Sequence, residues 1–352
     1  MVTLRDVAQA TGFSVSTVSK VLNNTADEVG IAESTQALVR EAARNLNYRP
    51  NKEARNLRLG KRRPLILFLS LYEGRTDGEE GFFSHPFFGE LMHYIQYEVS
   101  NQGFYLSYIA VNNSNLSLIT ELIHDSVSGV VTWGTIPDPL LRTLRASKLP
   151  VAAIEPYIQD AEDLHQIYVD NEAAVSQAVD YLYKCNYRQI VMADTRLDGE
   201  KQNPVFSERV EAFTECKKKY SDILLQREIY YRARGTSDIT AGEVIGEKIL
   251  EKIKPPFGVV AVNDLTAFGI LNIAQQRGLL VPDDVGVIGI DDIEWAHSHR
   301  PALTTIRIPK HQLALEAVGF LTNFLNRTGV KPEVLRLPVE LVERQTTAKQ
   351  KG

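Results

Sequence analysis

The chain has 352 residues, 44% hydrophobic and 24% charged, with a net charge of −5 and two cysteines. That length exceeds one ordinary core and predicts two or three domains, while the balance excludes a disordered polymer. No run approaches the roughly eighteen apolar residues that span a bilayer, and the N-terminal residues lack the apolar centre of an export signal, so a cytoplasmic protein is expected. The charge is unevenly placed: residues 1–63 carry 11 Lys or Arg against six Asp or Glu, and the remainder carries 28 against 38. A basic arm on an acidic body fits phosphate contacts at one end and rejection of DNA elsewhere.

In chain order, Thr3 and Asp6 are spaced as a capping box with Asp in place of Glu. Leu4, Val7 and Ala8 follow on one helical face. Gly12 is expected in a tight turn with positive φ, and Ser14 as the N-cap of a second helix whose Val18, Val21 and Leu22 face inward. Val15, Ser16 and Lys20 then point outward, where base edges would lie, and Thr17, Ser19 and Asn23 suit phosphate oxygens. A third helix is predicted from Glu33 to Leu46, with Leu38, Val39, Ala42 and Leu46 inward and no side-chain cap at Ala32. A three-helix bundle of this kind can bind protein instead, but the basic excess and the outward polar set favour DNA. Next, Pro50 and Asn51 open a segment too short to hold as an isolated helix. Its Arg55 and Arg58 can reach phosphates, and Leu57 is an apolar side chain among polar ones.

The strings Thr3-Leu4-Arg5-Asp6-Val7-Ala8, Ser14 to Asn23 and Leu46 to Leu57 resemble the LacI/GalR family of bacterial transcription regulators. The resemblance implies that Val15, Ser16 and Lys20 read bases, with Thr3, Thr17, Ser19, Asn23, Asn51, Ala54, Arg55 and Arg58 as further DNA contacts. It also implies that 51–58 is a hinge helix ordered only on DNA, whose Leu57 wedges between base pairs in the minor groove.

After Pro64, apolar runs at Leu65–Leu69, Tyr105–Ala110, Gly129–Thr132, Val151–Ile154, Gln189–Ala193, Gly258–Val262 and Val285–Ile290 alternate with amphipathic stretches. This pattern predicts parallel sheets covered on both faces, in two Rossmann-like lobes. The family resemblance extends through His85-Pro86-Phe87-Phe88, Val169-Asp170-Asn171, Val281 to Asp292 and Leu341 to Thr347. It implies a body like that of periplasmic sugar-binding proteins, with the chain crossing between lobes near Ile167–Val169, Arg307–Lys310 and Arg336–Pro338. The expected domains are a helix-turn-helix headpiece over 1–47, a hinge and linker over 48–63, and a body over 64–352. Within the body the first lobe is placed at about 64–167 and 310–336, and the second at about 168–307 and 338–348. Glu73–Gly81 reads either as a flap near the cleft or as a solvated loop.

Ligands of open parallel sheets sit at the carboxyl ends of strands. Glu155, Asn263, Asp264 and Asp291 each follow a strand candidate, and Arg209 is expected to open a helix after a polar loop. Carboxylates with an amide and a guanidinium suit hydroxyls, which both donate and accept. Trp133, Phe87 and Phe88 are candidate plates for the apolar face of a sugar. The family resemblance places Glu155, Arg209, Asn263 and Asp291 at effector positions, and it puts Ser237 where an aromatic often stands. Stacking must then come from Trp133, a Phe, or Tyr230 and Tyr231.

The seven histidines are scattered, no nucleophile triad or glycine-rich dinucleotide fingerprint stands out, and His297-Ser298-His299 reads as a surface pair in a loop before Pro301. Cys185 and Cys216 read as reduced structural thiols. No enzyme activity, metal or cofactor is expected. A sequence-specific repressor is, with a near-palindromic duplex operator, a small-molecule effector (a sugar before other classes), and a homodimer as the assembly, since no heptad tail follows the last strand. A regulator driven by a phosphocarrier protein and a solute receptor without DNA function stay open as alternatives.

Overall fold

The computed structural model describes residues 4–22, 30–46, 65–70, 85–112, 114–158, 161–197, 204–220, 222–232, 236–327 and 329–350. It divides into two compact units, Met1–Arg63 and Pro64–Gly352. The segment 48–63, with the hinge expectation, and Glu73–Gly81 lie outside the described residues.

In the first unit, helices α1 (Leu4–Thr11), α2 (Val15–Leu22) and α3 (Glu33–Asn45) close around Val7, Ala8, Val18, Val21, Val39 and Ala43. Gly12 takes φ +71 between α1 and α2, and Ser14 Oγ accepts the Thr17 N–H at 3.1 Å as the cap of α2. At the start of α3, Ala32 supplies no side-chain cap. The inward set on α3 needs one correction. Leu38 is 56% exposed, and the stripe runs through Gln36, Val39 and Ala43. Gln36 tolerates burial because its Nε2 donates to Ile31 O at 2.9 Å, so the amide keeps a partner.

The second unit begins with β1 (Leu65–Ser70), α4 (Pro86–Asn101), β2 (Tyr105–Ala110), α5 (Leu116–Asp125), β3 (Gly129–Trp133), α6 (Asp138–Ser147), β4 (Val151–Ile154) and β5 (His165–Val169). It continues through α7 (Asn171–Lys184), β6 (Gln189–Leu197), α8 (Pro204–Lys219), β7 (Leu224–Arg232), α9 (Asp238–Lys252) and β8 (Phe257–Ala261). Then come α10 (Asp264–Gln276), β9 (Val285–Asp291), α11 (Glu294–Ser298), β10 (Thr304–Arg307), α12 (Lys310–Asn326), β11 (Val334–Leu337) and β12 (Glu340–Val342). The strands form two sheets, ordered β11-β5-β4-β3-β1-β2 and β12-β10-β9-β8-β6-β7. All the pairings are parallel except β10 with β12.

Each sheet anchors one lobe, and the chain passes between them after β5, between β10 and α12, and between β11 and β12. Central strands such as β3, β8 and β9 are buried along their whole length, as continuous apolar runs covered by helices on both faces require. Strands β5, β7, β10, β11 and β12 carry polar residues and lack such runs. In β5, Gln166 is buried because its Nε2 donates to Ala161 O at 2.8 Å. In β10, Thr304 is buried with its hydroxyl 2.8 Å from that of Thr347.

Candidate functional site

The carboxyl ends of β4, β5, β8 and β9 converge between the lobes, as the strand direction of open parallel sheets dictates. Glu155, directly after β4, takes a left-handed φ of 51° and is 2% exposed. Its Oε1 accepts the Val169 N–H at 2.7 Å, and the Tyr157 hydroxyl lies close enough to the carboxylate to act on it. Burial pushes the Glu155 carboxyl up to about 7, against the lowering effect of the Val169 N–H and in the same direction as the Glu208 charge.

Arg209 faces Glu155 from the second lobe. It lies inside α8 rather than opening it, because the helix already begins at Pro204. Its Nε donates to Asn171 Oδ1 at 2.9 Å, its Nη1 to Val262 O at 2.5 Å, and its Nη2 stands 4.0 Å from Asp291 Oδ1. Asn171 begins α7 just past a lobe crossing, where Asp170 caps the helix by accepting the Ala173 N–H at 2.9 Å. Its Nδ2 donates to Glu208 Oε2 at 2.9 Å.

Asp291 ends β9 with φ 140° and is buried; desolvation raises its carboxyl, with the Arg209, His85 and Lys310 charges opposing. The Lys310 ammonium, itself buried, donates to Asp291 O at 2.8 Å and Asp292 O at 2.9 Å and pairs with Glu90 at 3.1 Å. Asn263 is the N-cap of α10: Oδ1 accepts the Thr266 N–H at 2.8 Å and Nδ2 donates to Asp238 Oδ2 at 3.2 Å. That Asp238 oxygen is 3.5 Å from His85 Nε2 of the first lobe.

Asp264, also noted from sequence, is a scaffold residue instead. It is fully buried, accepts the Ile293 N–H at 3.0 Å and the Thr305 hydroxyl at 2.5 Å, and so ties α10 to β10 and the end of β9. Glycine is required at 289 for this reason, since a Cβ there would overlap Asp264 Oδ1.

The aromatic candidates come together. Phe87 and Phe88, in the first turn of α4, and Trp133, at the end of β3, stand 5.2–5.5 Å apart in edge-on contacts and are at most 9% exposed. They border the polar cluster through Phe87, 5.6 Å from the Lys310 ammonium, and Phe88, 5.3 Å from His85. Ser237 is spent capping α9 by accepting the Thr240 N–H at 3.1 Å. Tyr231 is exposed and the Tyr230 ring faces Lys248, so neither joins the aromatic group. A groove of about 530 Å³ lies beside this cluster rather than on it, lined by Glu90, His93, Asp292, Glu294, His297 and Arg344 among others. The buried polar residues, packed against one another across the lobes, are the better candidate for a specific ligand site.

Sequence reasoning missed His85, Tyr157, Asn171, Glu208 and Asp238 as site residues. Their strings were visible, but only the facing of the two lobes makes them neighbours. His297 was placed in a loop; it lies in α11, with His299 as its C-cap, because Glu294 to Ser298 form one short helix. Among the described residues no group of three or more side chains has the arrangement of a metal site. No described helix is long and apolar enough to cross a membrane.

In the first unit, Val15, Ser16 and Lys20 are exposed on α2, and Thr17 and Ser19 are half-exposed. Thr3, Asn23, Asn51, Ala54, Arg55, Leu57 and Arg58 lie outside the described residues.

Residues 3–51 match the family described as bacterial regulatory proteins, lacI family, and residues 179–347 match the periplasmic binding protein-like domain. A Bacillus subtilis protein named "Probable HTH-type transcriptional repressor ExuR" is 26% identical over 98% of each chain. The ribose operon repressor of the same organism is 28% identical over 99% of this chain and 100% of its own. Among solved structures, the lac repressor dimer bound to operator and an anti-inducer superposes with a TM-score of 0.76 at 22% identity over 99% of each chain. A LacI-family regulator from Enterococcus faecium with bound ribose superposes with a TM-score of 0.68 at 22% identity, over 82% of this chain and all of that one. These likenesses establish a shared fold of helix-turn-helix headpiece and two-lobed body.

Proposed function

We propose that this chain, which belongs to the lacI family of bacterial regulatory proteins, is a cytoplasmic homodimer whose grip on a near-palindromic operator is set by a sugar in the interlobe cleft. It is a DNA-binding transcriptional repressor with a ligand-binding body, not an enzyme. The observation that carries the effector reading is the convergence of Glu155 from one lobe with Arg209, Asn263 and Asp291 from the other, all buried around one cleft. Side chains with both donors and acceptors, bordered by Phe87, Phe88 and Trp133, fit a ring with hydroxyls on its edge and an apolar face. The Enterococcus faecium regulator with bound ribose supports a sugar on this fold.

On the DNA side, Val15, Ser16 and Lys20 read base edges from α2, while Thr3, Thr17, Ser19 and Asn23 hold phosphates. Asn51, Ala54, Arg55, Leu57 and Arg58 belong to the hinge that the sequence resemblance places in the minor groove. A ligand that favours one lobe arrangement shifts operator affinity by a coupling of roughly 1–3 kcal/mol.

The test selects duplexes from a random pool with the purified protein and measures affinity for the winner with and without a panel of sugars. A palindromic winner whose affinity changes at least about fivefold with one sugar is the expected result. A pool without palindromes, or an operator affinity indifferent to every sugar, would overturn the reading.

A further inference from the structure

Asn171 stands where the chain crosses between the lobes from β5 into α7, and the residues of that crossing serve both lobes at once. The Val169 N–H holds Glu155 Oε1 of the first lobe at 2.7 Å, and the Val169 carbonyl accepts Arg336 Nη1, from the end of β11, at 3.2 Å. Asn171 itself is fully buried. Its amide has one accepting end and one donating end, and the partners fix which is which. Arg209 Nε can only donate, so Oδ1 faces it, at 2.9 Å. Nδ2 donates to Glu208 Oε2 at 2.9 Å and to the Tyr157 hydroxyl at 3.4 Å. Tyr157, from the first lobe, donates to that same Glu208 oxygen at 2.9 Å.

A continuous path therefore runs from Arg209 through Asn171 and Glu208 to Tyr157 in the opposite lobe. Arg209 and Glu208 are neighbours on α8, and side chains one position apart on a helix do not face each other, so it is Asn171 that joins them. The guanidinium is planar and rigid, with Nη1 already on Val262 O. A hydroxyl that engages the Nη2 edge turns the whole plane, Nε included. Arg209 and Asn171 are 3% and 0% exposed, so water does not replace a bond broken between them. The amide follows the guanidinium, and the Glu208 oxygen, with Tyr157 on it, follows the amide.

We propose that Asn171 is a positioning residue that transmits the state of Arg209 to the clasp between Tyr157 and Glu208, so that a ligand held by one lobe is felt by the other. It sets the plane of Arg209 and needs no contact with the ligand. The proposal rests on the reading of Arg209 as an effector contact; its test uses no effector, so the two fail separately.

The test is a double-mutant cycle on the ligand-free full chain. Tyr157→Phe and Arg209→Lys are made singly and together, first with Asn171 and then with Asn171→Asp. The aspartate keeps an acceptor for Arg209 but turns a carboxylate on Glu208 in place of a donor, so it cuts the path at one link. Urea unfolding of the body is followed by the fluorescence of Trp133 and Trp295. With Asn171, the two substitutions are expected to be non-additive by at least about fivefold in the unfolding equilibrium constant. With Asn171→Asp they should be additive to within about twofold. A merely structural Asn171 would lower stability when replaced and leave the non-additivity intact, and that result overturns the proposal. Additivity with Asn171 in place overturns it as well. If Asn171→Asp does not fold, Asn171→Ser supplies the second background. If the double variant does not fold, NMR reads the Arg209 Nε–H signal, which Tyr157→Phe alone should shift, and an unmoved signal overturns the relay.

Discussion

The Tyr157 hydroxyl, on the loop after β4 in the first lobe, donates to Glu208 Oε2 on α8 of the second lobe at 2.9 Å. The same oxygen accepts Asn171 Nδ2 at 2.9 Å and lies 3.9 Å from Arg336 Nη1, so three groups hold one carboxylate at the lobe junction. Tyr157→Phe removes only the phenolic donor. The expected loss is about 1 kcal/mol in the urea midpoint at constant slope, because Glu208 keeps its other partners. Ligand-free protein should also show a larger radius of gyration by small-angle scattering. If midpoint and radius both stay at the wild-type values, Tyr157 is not a latch.

Gly289 and Gly319 make an internal pair of opposites. A Cβ at 289 would overlap Asp264 Oδ1, whose two hydrogen bonds hold it in place, whereas a Cβ at 319 meets nothing within 4 Å in the middle of α12. Gly289→Ala is expected to cost roughly 3 kcal/mol or more, with a clear fall in Tm. Gly319→Ala should be neutral or raise stability by up to about 1 kcal/mol through helix propensity. Equal effects of the two substitutions would remove the close-approach explanation.

Glu155 makes stability depend on pH. Burial raises its carboxyl from 4.5 to about 7, so between those values the folded chain keeps a proton that the unfolded chain has released. The stabilisation is complete below the unfolded value and is lost as pH rises through the folded one. Glu155→Gln should therefore lose less stability than wild type on going from about pH 4 to about pH 8, by roughly 3 kcal/mol. Urea unfolding at a series of pH values checks this, and superimposable profiles would contradict it. Asp291 and Asp264, both raised by desolvation, add slopes of the same sign in both proteins.

Asp291→Asn tests the cleft from the DNA side. Asp291 sits at φ 140°, and asparagine keeps the size and shape of the side chain there while removing its charge. The variant should lose most of its response to effector while ligand-free operator affinity stays within about twofold of wild type. Loss of operator binding in the absence of ligand would instead make the residue part of the scaffold.

Lys20 is exposed on α2 beside Val15 and Ser16. Lys20→Ala should narrow the ratio of operator to random-duplex affinity by about 1–3 kcal/mol while changing random-duplex binding much less. Competition gel shifts at fixed salt measure both. Equal losses on the two duplexes would mean that Lys20 contacts phosphate only.

Much of this protein was legible from neighbours in the chain. The Ser14 cap, the positive φ at Gly12 and the apolar runs of β2 and β4 depend on residues a few positions apart, and the structure places each of them there. Leu38 was misread because Leu and Val at adjacent helix positions look equally fit for burial, and only the packing of α1 and α2 decides which of the two faces inward. The polar strands β5 and β10 escaped notice because their buried Gln and Thr are satisfied by partners outside their own strands.

By itself the sequence determined the three-helix headpiece, the strand-helix alternation and the place of Glu155, Asn263 and Asp291 as polar groups after strands, whereas Arg209, expected to open a helix, lies inside one. The fold alone decided how those groups spend their hydrogen bonds, and that His85, Tyr157, Asn171, Glu208 and Asp238 join them. Local periodicity sets which face of an element is buried. The pairing of His85 with Asp238, or of Tyr157 with Glu208, depends on how the two lobes are brought to face each other, and no short-range pattern encodes that.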